Sequence, residues 1–417
     1  MAPPPTPVVA RPLEDTVIFK PLQVGKNELS NRIVFAPSTR FRALEDHSPS
    51  DLQLEYYDER SKYPGTLLTV EGTLPSKKTG SYAFVPGIYT DKHVREWKKV
   101  TDKIHENKSF VTVQLWGLGR VADPAQNKKE GQKLKGPSAL YDHPRSEKAA
   151  KKAENEIEAY TTEEIDDLVN EYSKAAKNSV AAGFDYVEFH CAHGYLFNQF
   201  FAPSANKRTD KYGGSIENRA RFILSVIDRL SDEIGSERLA VRISPWATVY
   251  GIQAQKDEVH PITIYSHFLN ELQKRADAGR PIAYVSVVEP RVSGVFDVAE
   301  KDIAGDNDFV KAVWKGVVMK AGNYTYDAPK FKSLLDDTED GRTLVGFSRY
   351  FISNPDLVYR LRDGRELTPY DRKTFYKTTN WGYNTYKRFE DERQFDEEAE
   401  KKRRAAPIAV AATHAKL

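Results

Sequence analysis

Short apolar runs alternate with helical segments eight times along this chain of 417 residues. The runs are apolar on both faces, which is typical of parallel strands covered by helices. Eight such repeats predict a single-domain (β/α)8, or TIM, barrel, and a doubly wound open sheet is the second choice. The predicted strands are residues 31–37, 66–72, 110–116, 185–190, 239–244, 282–289, 316–321 and 342–348.

Several of the intervening segments carry helix boundary signals. Thr161 and Glu164 form a capping box, and Gly183 is a typical helix stop, so a helix is predicted between them. A second helix is predicted with Asn354 as its N-cap and Pro355 at its first position, and a third helix is predicted with Ser215 as its N-cap. The apolar face of the first helix comprises Ile165, Leu168, Val169, Tyr172, Ala175, Ala176 and Val180.

Three segments fall outside the regular repeat. Residues 1–14 are Pro-rich and are predicted to be a disordered lead-in to a barrel spanning residues 15–389. Residues 117–160 follow the third strand and are far longer than the usual connection of two to six residues, so we interpret them as an insertion that caps a pocket. A solvated decoration without function is the alternative. Residues 390–417 are predicted to form a charged helix and a flexible arm.

Composition restricts the partners of the chain. With 62 basic and 60 acidic residues the net charge is only +2, so neither nucleic acid nor a membrane is expected, and a small molecule is the better default. The single cysteine, Cys191, excludes an intramolecular disulfide framework and is expected to be a small buried side chain. We therefore expect a reducing, cytoplasmic compartment. The chain is expected to be a monomer or a homodimer. The ending Ala415-Lys416-Leu417 is close to the S-K-L address, which suggests the hypothesis of partial import into peroxisomes.

Polar side chains cluster directly after the fourth predicted strand. His190, His193 and Tyr195 stand there, where a barrel keeps its catalytic residues. Two imidazoles can bind the oxygen of a carbonyl or nitro group and stabilise negative charge on it. The same H-x-x-H spacing occurs in metal sites, but Asp185 lies at the far end of the strand and Asp210 is distant in the loop, so a third ligand is missing. Tyr195 is either a packed aromatic or a general acid.

A glycine motif after the third strand resembles a nucleotide fingerprint. Residues 117–122 read G-L-G-R-V-A, which matches part of the Rossmann pattern. Asp123-Pro124 and a Lys-rich loop follow instead of a helix, so we do not expect a dinucleotide site here. Phosphate binding is instead expected after the seventh and eighth strands, in residues 320–323 and 346–349, because barrels commonly bind phosphate there through backbone N–H groups.

The stretch HCAHGYLFNQF, residues 190–200, followed by RTDKYGGSIENRARF, residues 208–222, resembles the hallmark segment of the old yellow enzymes. Members of that family are FMN-dependent NAD(P)H oxidoreductases, and the resemblance extends from Ile18 to about Tyr383. It implies non-covalent FMN, NADPH as the hydride-donating substrate, and reduction of α,β-unsaturated aldehydes, ketones or nitroalkenes at one shared site. His190 and His193 would bind the substrate oxygen, hydride would reach Cβ from the flavin, and Tyr195 would protonate Cα.

The resemblance also implies a set of binding residues. Thr39 would lie near the reactive edge of the flavin, Gln114 would bind its pyrimidine, and Arg242 would stabilise the reduced form near N1. A structural ion pair is the alternative for Arg242. The implied FMN set is Pro37, Ser38, Thr39, Gly72, Gln114, Arg242, Gly322, Asn323, Gly346, Phe347, Ser348 and Arg349; the implied substrate set is Tyr82, Trp116, His190, His193, Phe296 and Tyr376.

Three positions depart from what is usual in the family, or mark a subset of it. Many members have Asn where His193 stands, Gly where Ser348 stands and Arg where Lys320 stands. The last two changes remove no backbone donor, so phosphate binding is still expected. Two other classes of function stay open at this point: a metal-dependent barrel hydrolase that uses the His pair as ligands, and a non-catalytic flavin-binding paralogue.

Overall fold

Eight parallel strands close into a barrel in the computed structural model, which describes residues 8–409. Each strand pairs with the next one along the chain, and the last pairs with the first, so the predicted (β/α)8 fold is confirmed. The strands are β1 (Ile33–Phe35), β2 (Leu67–Thr73), β3 (Phe110–Leu115), β4 (Tyr186–Cys191), β5 (Leu239–Ile243), β6 (Tyr284–Val288), β7 (Val318–Ala321) and β8 (Thr343–Phe347).

Helices occupy the segments between and after the strands. In the part of the chain that the structure describes, none of them is long and apolar enough to cross a membrane. They are α1 (Asp51–Arg60), α2 (Asp91–Glu106), α3 (Pro124–Lys129), α4 (Pro144–Ala153), α5 (Thr162–Ala181), α6 (Leu196–Phe201), α7 (Ile216–Ile234), α8 (Pro261–Asp277), α9 (Asp308–Val313), α10 (Lys332–Thr338), α11 (Arg349–Ser353), α12 (Leu357–Asp363) and α13 (Glu397–Glu400).

The interior of the barrel changes from apolar to polar along the strands. A hairpin of Leu22–Val24 and Asn27–Leu29 packs against the lower, apolar layer at the N-terminal ends of the strands. That layer is Val34, Leu67, Tyr186, Ala240, Tyr284, Met319 and Leu344. Because side chains alternate along a strand, residues two positions further on also face inward. The middle layer is Thr69, Thr112, Glu188 and Ser286, all buried.

Two of the three predicted helix boundaries or caps are confirmed, and one is wrong. The capping box of Thr161 and Glu164 starts α5, and Ser215 caps α7. Asn354 is not an N-cap, because α12 begins later, with Asp356 at that position. Asn354 instead ends α11: its amide donates to the carbonyl of Tyr350 at 2.7 Å, while the N–H of Thr368 donates to its Oδ1 at 2.8 Å.

The predicted boundaries at both ends of the chain need correction. The disordered lead-in is wrong from residue 8 onward, because Val8–Val9 pairs with Glu366–Leu367 and Leu13 is fully buried. The charged C-terminal helix is only the four residues of α13, and Ile408 beyond it packs into the core. Residues 1–7 and 410–417 lie outside the described residues, so the role of the C-terminal tripeptide stays a prediction.

The long insertion of residues 117–160 forms a small unit beside the barrel. It contains α3, α4 and two short parallel strands, Lys135–Gly136 and Glu158–Ala159. The expectation that no helix follows the glycine motif was wrong, since α3 begins there with Asp123 as its N-cap. The helix has six residues and belongs to this unit, and the closed barrel contains no Rossmann sheet.

Candidate active site

One cavity of about 630 Å³ opens at the C-terminal ends of the barrel strands, and Tyr195 and every residue of the implied FMN and substrate sets line it. The inward alternation explains much of this convergence, because the next inward position of each strand above the apolar layer or the middle layer belongs to the cavity wall. Those positions are Ala36, Gln114, His190, Arg242, Val288, Ala321 and Gly346. The remaining predicted residues, among them Pro37, Thr39 and Phe347, reach the wall from strand ends and the loops that follow.

The two predicted imidazoles lie on the same wall, with ring centroids 6.1 Å apart. His190 stands in β4 opposite Arg242 of β5, and its Nδ1 accepts the N–H of Ala192 at 3.3 Å. A neutral His190 ring therefore carries its proton on Nε2, the nitrogen that remains available as a donor. His193 adopts a positive φ of 54° and is held by its backbone N–H, which donates to Ser244 Oγ at 2.8 Å.

Burial keeps both imidazoles neutral. It lowers the pKa of His190 well below its usual range, and the positive charge of Arg242 acts in the same direction. Burial and Arg242 together lower the pKa of His193 to about 3. At neutral pH the pair thus offers neutral N–H donors to an oxygen atom that gains negative charge.

Tyr195 lies between the histidines and the aromatic wall. Its ring centroid is 4.8 Å from that of His190, 5.0 Å from that of Trp116 and 5.6 Å from that of Tyr250. Burial raises the pKa of the Tyr195 phenol well above its usual range, and the neighbouring Tyr250 adds to this shift. The phenol is therefore protonated and available as a proton donor.

The floor of the cavity is made of small residues. Ala36, Ala321 and Gly346 lie side by side on neighbouring strands, and a Cβ at Gly346 would lie 3.0 Å from the Cβ of Ala321. A Cβ at Gly72 would lie 2.6 Å from the ring of Trp116. Larger side chains would therefore collide at both glycines, and the open space above this floor suits a flat ring such as the flavin of FMN.

Arg242 needs a partner that the described residues do not supply at its Nε. This nitrogen is buried and has no hydrogen-bond partner, although the residue lines the cavity. Buried polar atoms normally have partners, so Arg242 fits a ligand with acceptor atoms, as a flavin pyrimidine has. Gln114, two strands away on β3, donates its Nε2–H to Oε1 of Glu188 at 2.7 Å. Sequence reasoning missed Glu188, although its alternation with Tyr186 and His190 in β4 signals an inward carboxylate.

The two loops predicted to bind phosphate meet at the cavity. Gly322 has a φ of 155°, and a Cβ there would lie 2.7 Å from the Cβ of Glu289, so the backbone passes closely over that side chain. Asn323 follows with a φ of 53°. Ser38 and Ser348 join the loops after β1 and β8, since their Oγ atoms lie 2.5 Å apart. Backbone N–H groups in such loops are suited to bind a phosphate.

The cations near these loops are engaged by carboxylates. Arg349 binds Asp297 through two hydrogen bonds of 2.6 and 2.7 Å. Lys320 is buried, and its Nζ lies 2.6 Å from Asp337 and 3.3 Å from Glu289. Lys320 does not line the cavity and is thus a structural cation. Arg349 lines the cavity while it also binds Asp297.

The predicted substrate aromatics surround the opening in different ways. Tyr82 is anchored by its hydroxyl, which donates to the carbonyl of Val121 at 2.5 Å. Phe296 lies in a two-residue strand and is 69% exposed, and Tyr376 is 52% exposed, so both remain accessible at the mouth. The insertion supports this wall through the Val121 carbonyl that binds Tyr82. Residues 117–160 are all described, and none of them lines the cavity. The predicted capping role is therefore not observed.

Several wall residues were not foreseen from the sequence. Among them, Arg40, Phe41, Tyr250, Arg372 and Phe375 line the cavity. Arg40 and Phe41 directly follow Thr39, so extending the first strand-end motif by two residues would have included them. Arg372 and Phe375 are close in sequence to Tyr376 of the implied substrate set, whereas Tyr250 has no local signal, because only the fold brings its loop to the mouth.

Metal ligation is not supported by the arrangement of side chains. Among the residues described, no group of three His, Cys, Asp or Glu side chains is placed to hold a metal ion. Cys191 is buried and does not line the cavity, and burial raises the pKa of its thiol well above the usual range. The wall is therefore suited to bind an oxygen atom and to donate a proton.

Comparison with known proteins agrees with this geometry. Residues 17–368 match the NADH:flavin oxidoreductase / NADH oxidase family. A probable NADPH dehydrogenase of Candida albicans is 53% identical over 90% of this chain and 92% of its own length. Enoate reductase 1 of Kluyveromyces lactis is 42% identical over 91% of this chain and 96% of its own. The crystal structure of Old Yellow Enzyme from Pichia sp. AKU4542 superposes with a TM-score of 0.90 at 46% identity, covering 95% of this chain and all of that one.

Proposed function

Because the chain belongs to the NADH:flavin oxidoreductase / NADH oxidase family, and is thus an old yellow enzyme-type oxidoreductase that uses FMN and NADPH, we propose that it reduces the C=C bond of α,β-unsaturated aldehydes, ketones and nitroalkenes. One observation carries the proposal. Two neutral imidazoles and a protonated phenol meet on the wall of the cavity that also holds every residue proposed for FMN.

FMN fits the floor and the two loops at the cavity edge. The small residues Gly72 and Gly346 leave room for the flat ring, and Gln114 and Arg242 are the polar groups that would bind its pyrimidine side. The loops at Gly322 and Ser348 would bind the phosphate through their backbone N–H groups. When bound and reduced by NADPH, FMN supplies the hydride that adds to Cβ of the substrate.

The histidines bind and polarise the substrate. His190 donates through its Nε2–H, and His193 donates from the neighbouring position to the same carbonyl or nitro oxygen. Negative charge develops on that oxygen when Cβ accepts a hydride, so donors fixed in a water-poor wall stabilise the transition state more than the ground state. This explains why the rings are kept neutral and buried.

Tyr195 completes the reaction by donating its phenolic proton to Cα. The raised pKa of the phenol keeps the proton in place until the substrate carbon becomes basic. Tyr195 lies beside His190, so the proton donor and an oxygen-binding group stand at neighbouring points of one substrate. NADPH and the substrate would use the same space above the floor in turn, which fits residues 8–409, where the structure shows one closed barrel and no separate nucleotide domain.

Isotope tracing tests the proposal. The purified protein is incubated anaerobically with 2-cyclohexenone and NADPH that carries deuterium at the transferred position. We expect cyclohexanone with deuterium at Cβ, whereas a reaction in D2O with ordinary NADPH should place deuterium at Cα. Heat should release FMN in equal amount to the protein. Recovery of FAD, a covalently bound flavin or zinc, or a protein that contains FMN but forms no product, would contradict the proposal.

A further inference from the structure

The middle layer of the barrel contains a carboxylate that the proposed reaction does not use. Glu188 is fully buried and points inward from β4. Its Oε1 accepts the Nε2–H of Gln114 at 2.7 Å, and its Oε2 has no hydrogen-bond partner. An acid in such a position is costly to bury unless a nearby positive charge compensates it.

The nearest compensation comes from the layer above. Gln114 on β3 pairs with Glu188 on β4. Arg242 on β5 pairs with His190, which lies two residues after Glu188 on β4. Burial raises the pKa of the Glu188 carboxyl above its usual value, while Arg242, the hydrogen bond from Gln114 and the Tyr284 hydroxyl oppose this rise. Glu188 in turn raises the pKa of Arg242 against the effect of burial. The acid is thus coupled to two residues that we assign to the FMN pyrimidine.

We propose that Glu188 is a positioning residue for FMN: its carboxylate orients the Gln114 amide and offsets the charge of Arg242, and it thereby lowers the midpoint potential of the bound flavin. This inference rests on the proposed function. A cation beside the pyrimidine favours the negatively charged reduced flavin and raises the potential. A carboxylate one layer below opposes that effect, and burial strengthens the interaction relative to the same pair in water.

Substitution Glu188→Gln tests the charge with little change of shape. The new amide oxygen still accepts the hydrogen bond from Gln114, so orientation is kept while the negative charge is lost. We expect the equilibrium between oxidised and reduced FMN to shift at least tenfold toward the reduced form. For a two-electron couple this is a rise of about 30 mV in midpoint potential, measured by anaerobic dye-linked titration. Ser286→Ala, a neutral change in the same buried layer, is the matched control and should leave the potential unchanged.

A second variant separates orientation from charge. Glu188→Asp keeps the charge but withdraws it from Gln114, so FMN should dissociate several times more readily while the potential stays near that of the wild type. An unchanged potential in Glu188→Gln, or an equal shift in Ser286→Ala, would overturn the inference. If Glu188→Gln fails to fold, Glu188→Asp decides alone, and an FMN dissociation constant equal to that of the wild type would overturn it. A wild-type protein that binds no FMN would refute the proposed function itself.

Discussion

Tyr195 has a task in only one half of the proposed cycle. A phenol is needed when Cα must be protonated, and it has no role when NADPH reduces the flavin. For Tyr195→Phe we therefore expect flavin reduction at close to the wild-type rate and a loss of about a hundredfold to ten-thousandfold in turnover of cyclohexenone. Anaerobic stopped-flow absorbance resolves the two half-reactions.

His190→Ala is the contrasting variant in that experiment. It should weaken enone binding and slow flavin reoxidation together, because it removes an oxygen donor and charge stabilisation. Nitroalkenes should reoxidise the flavin in Tyr195→Phe with less loss, since the nitro group stabilises the product anion until solvent protonates it. If Tyr195→Phe slowed reduction by NADPH as much as reoxidation by enone, Tyr195 would be structural.

The histidine pair also predicts a flat pH profile. Burial and Arg242 lower the pKa of His193 to about 3, so this ring stays neutral throughout the range from pH 5.5 to 8, and they also lower the pKa of His190 well below its usual value. We expect the dissociation constant of an enone to change less than about twofold over this range, whereas a histidine of ordinary pKa near 6.5 would change charge within it. His193→Asn, which keeps an N–H donor that does not titrate, is the control and should show the same flat profile.

Protonation of the pair should instead affect folding. In the unfolded chain these histidines take up protons below about pH 6.5, while the folded protein resists this until much lower pH. Their contribution to stability is therefore complete above pH 6.5 and is lost as the pH falls toward 3.

A marked change of enone affinity between pH 5.5 and 8 in the wild type but not in His193→Asn would mean that His193 titrates normally.

At the scale of elements, local patterns predicted the strands well. The eight strands could be predicted from local sequence alone, because each run is apolar on both faces. The Asn354 cap failed since Pro355 suggested a helix start, while the structure uses the Asn354 side chain to join the end of α11 to the backbone of Thr368. The terminal segments were misjudged for a similar reason: Val8–Val9 and Ile408 become ordered only through partners far away in sequence.

Buried arginines show the same limit of local reasoning. The Arg42 guanidinium donates to the carbonyls of Arg40, Thr374, Phe375 and Thr379, and so ties the segment that carries Tyr376 to the end of β1. Nothing in the sequence around position 42 indicates a partner more than three hundred residues away. The site residues at strand ends could be predicted, whereas the contacts that hold the later loops could not.

Arg42→Met should therefore loosen the C-terminal segment. It leaves several buried carbonyls without donors, so we expect a loss of about 2–5 kcal/mol in the free energy of unfolding, measured by urea denaturation. The KM for cyclohexenone should rise as Tyr376 loses its position. Lys373→Met, an exposed change in the same segment, is the control. Equal stability of the two variants would show that the Arg42 hydrogen bonds contribute little.

At the scale of the whole molecule, FMN should link the barrel strands that form its floor. A ligand that binds only the folded state stabilises it by about 2.7 kcal/mol at one hundred times its dissociation constant. We expect the Tm of the apoprotein to rise by several degrees on addition of FMN, in a concentration-dependent manner, in differential scanning fluorimetry. Riboflavin lacks the phosphate and should raise the Tm less, because the loops at Gly322 and Ser348 then have no ligand. Equal shifts for FMN and riboflavin would contradict the phosphate site.

The most direct test of the central claim, that this barrel reduces activated C=C bonds through FMN, is one anaerobic absorbance experiment. One equivalent of NADPH per flavin is added to the purified protein, and 2-cyclohexenone is added after the spectrum has settled. We predict that NADPH bleaches the flavin band near-completely, and that the enone restores it with formation of one cyclohexanone per flavin. A flavin band that NADPH bleaches but the enone leaves bleached would contradict ene-reduction, and a protein without a flavin band would contradict the account of the site.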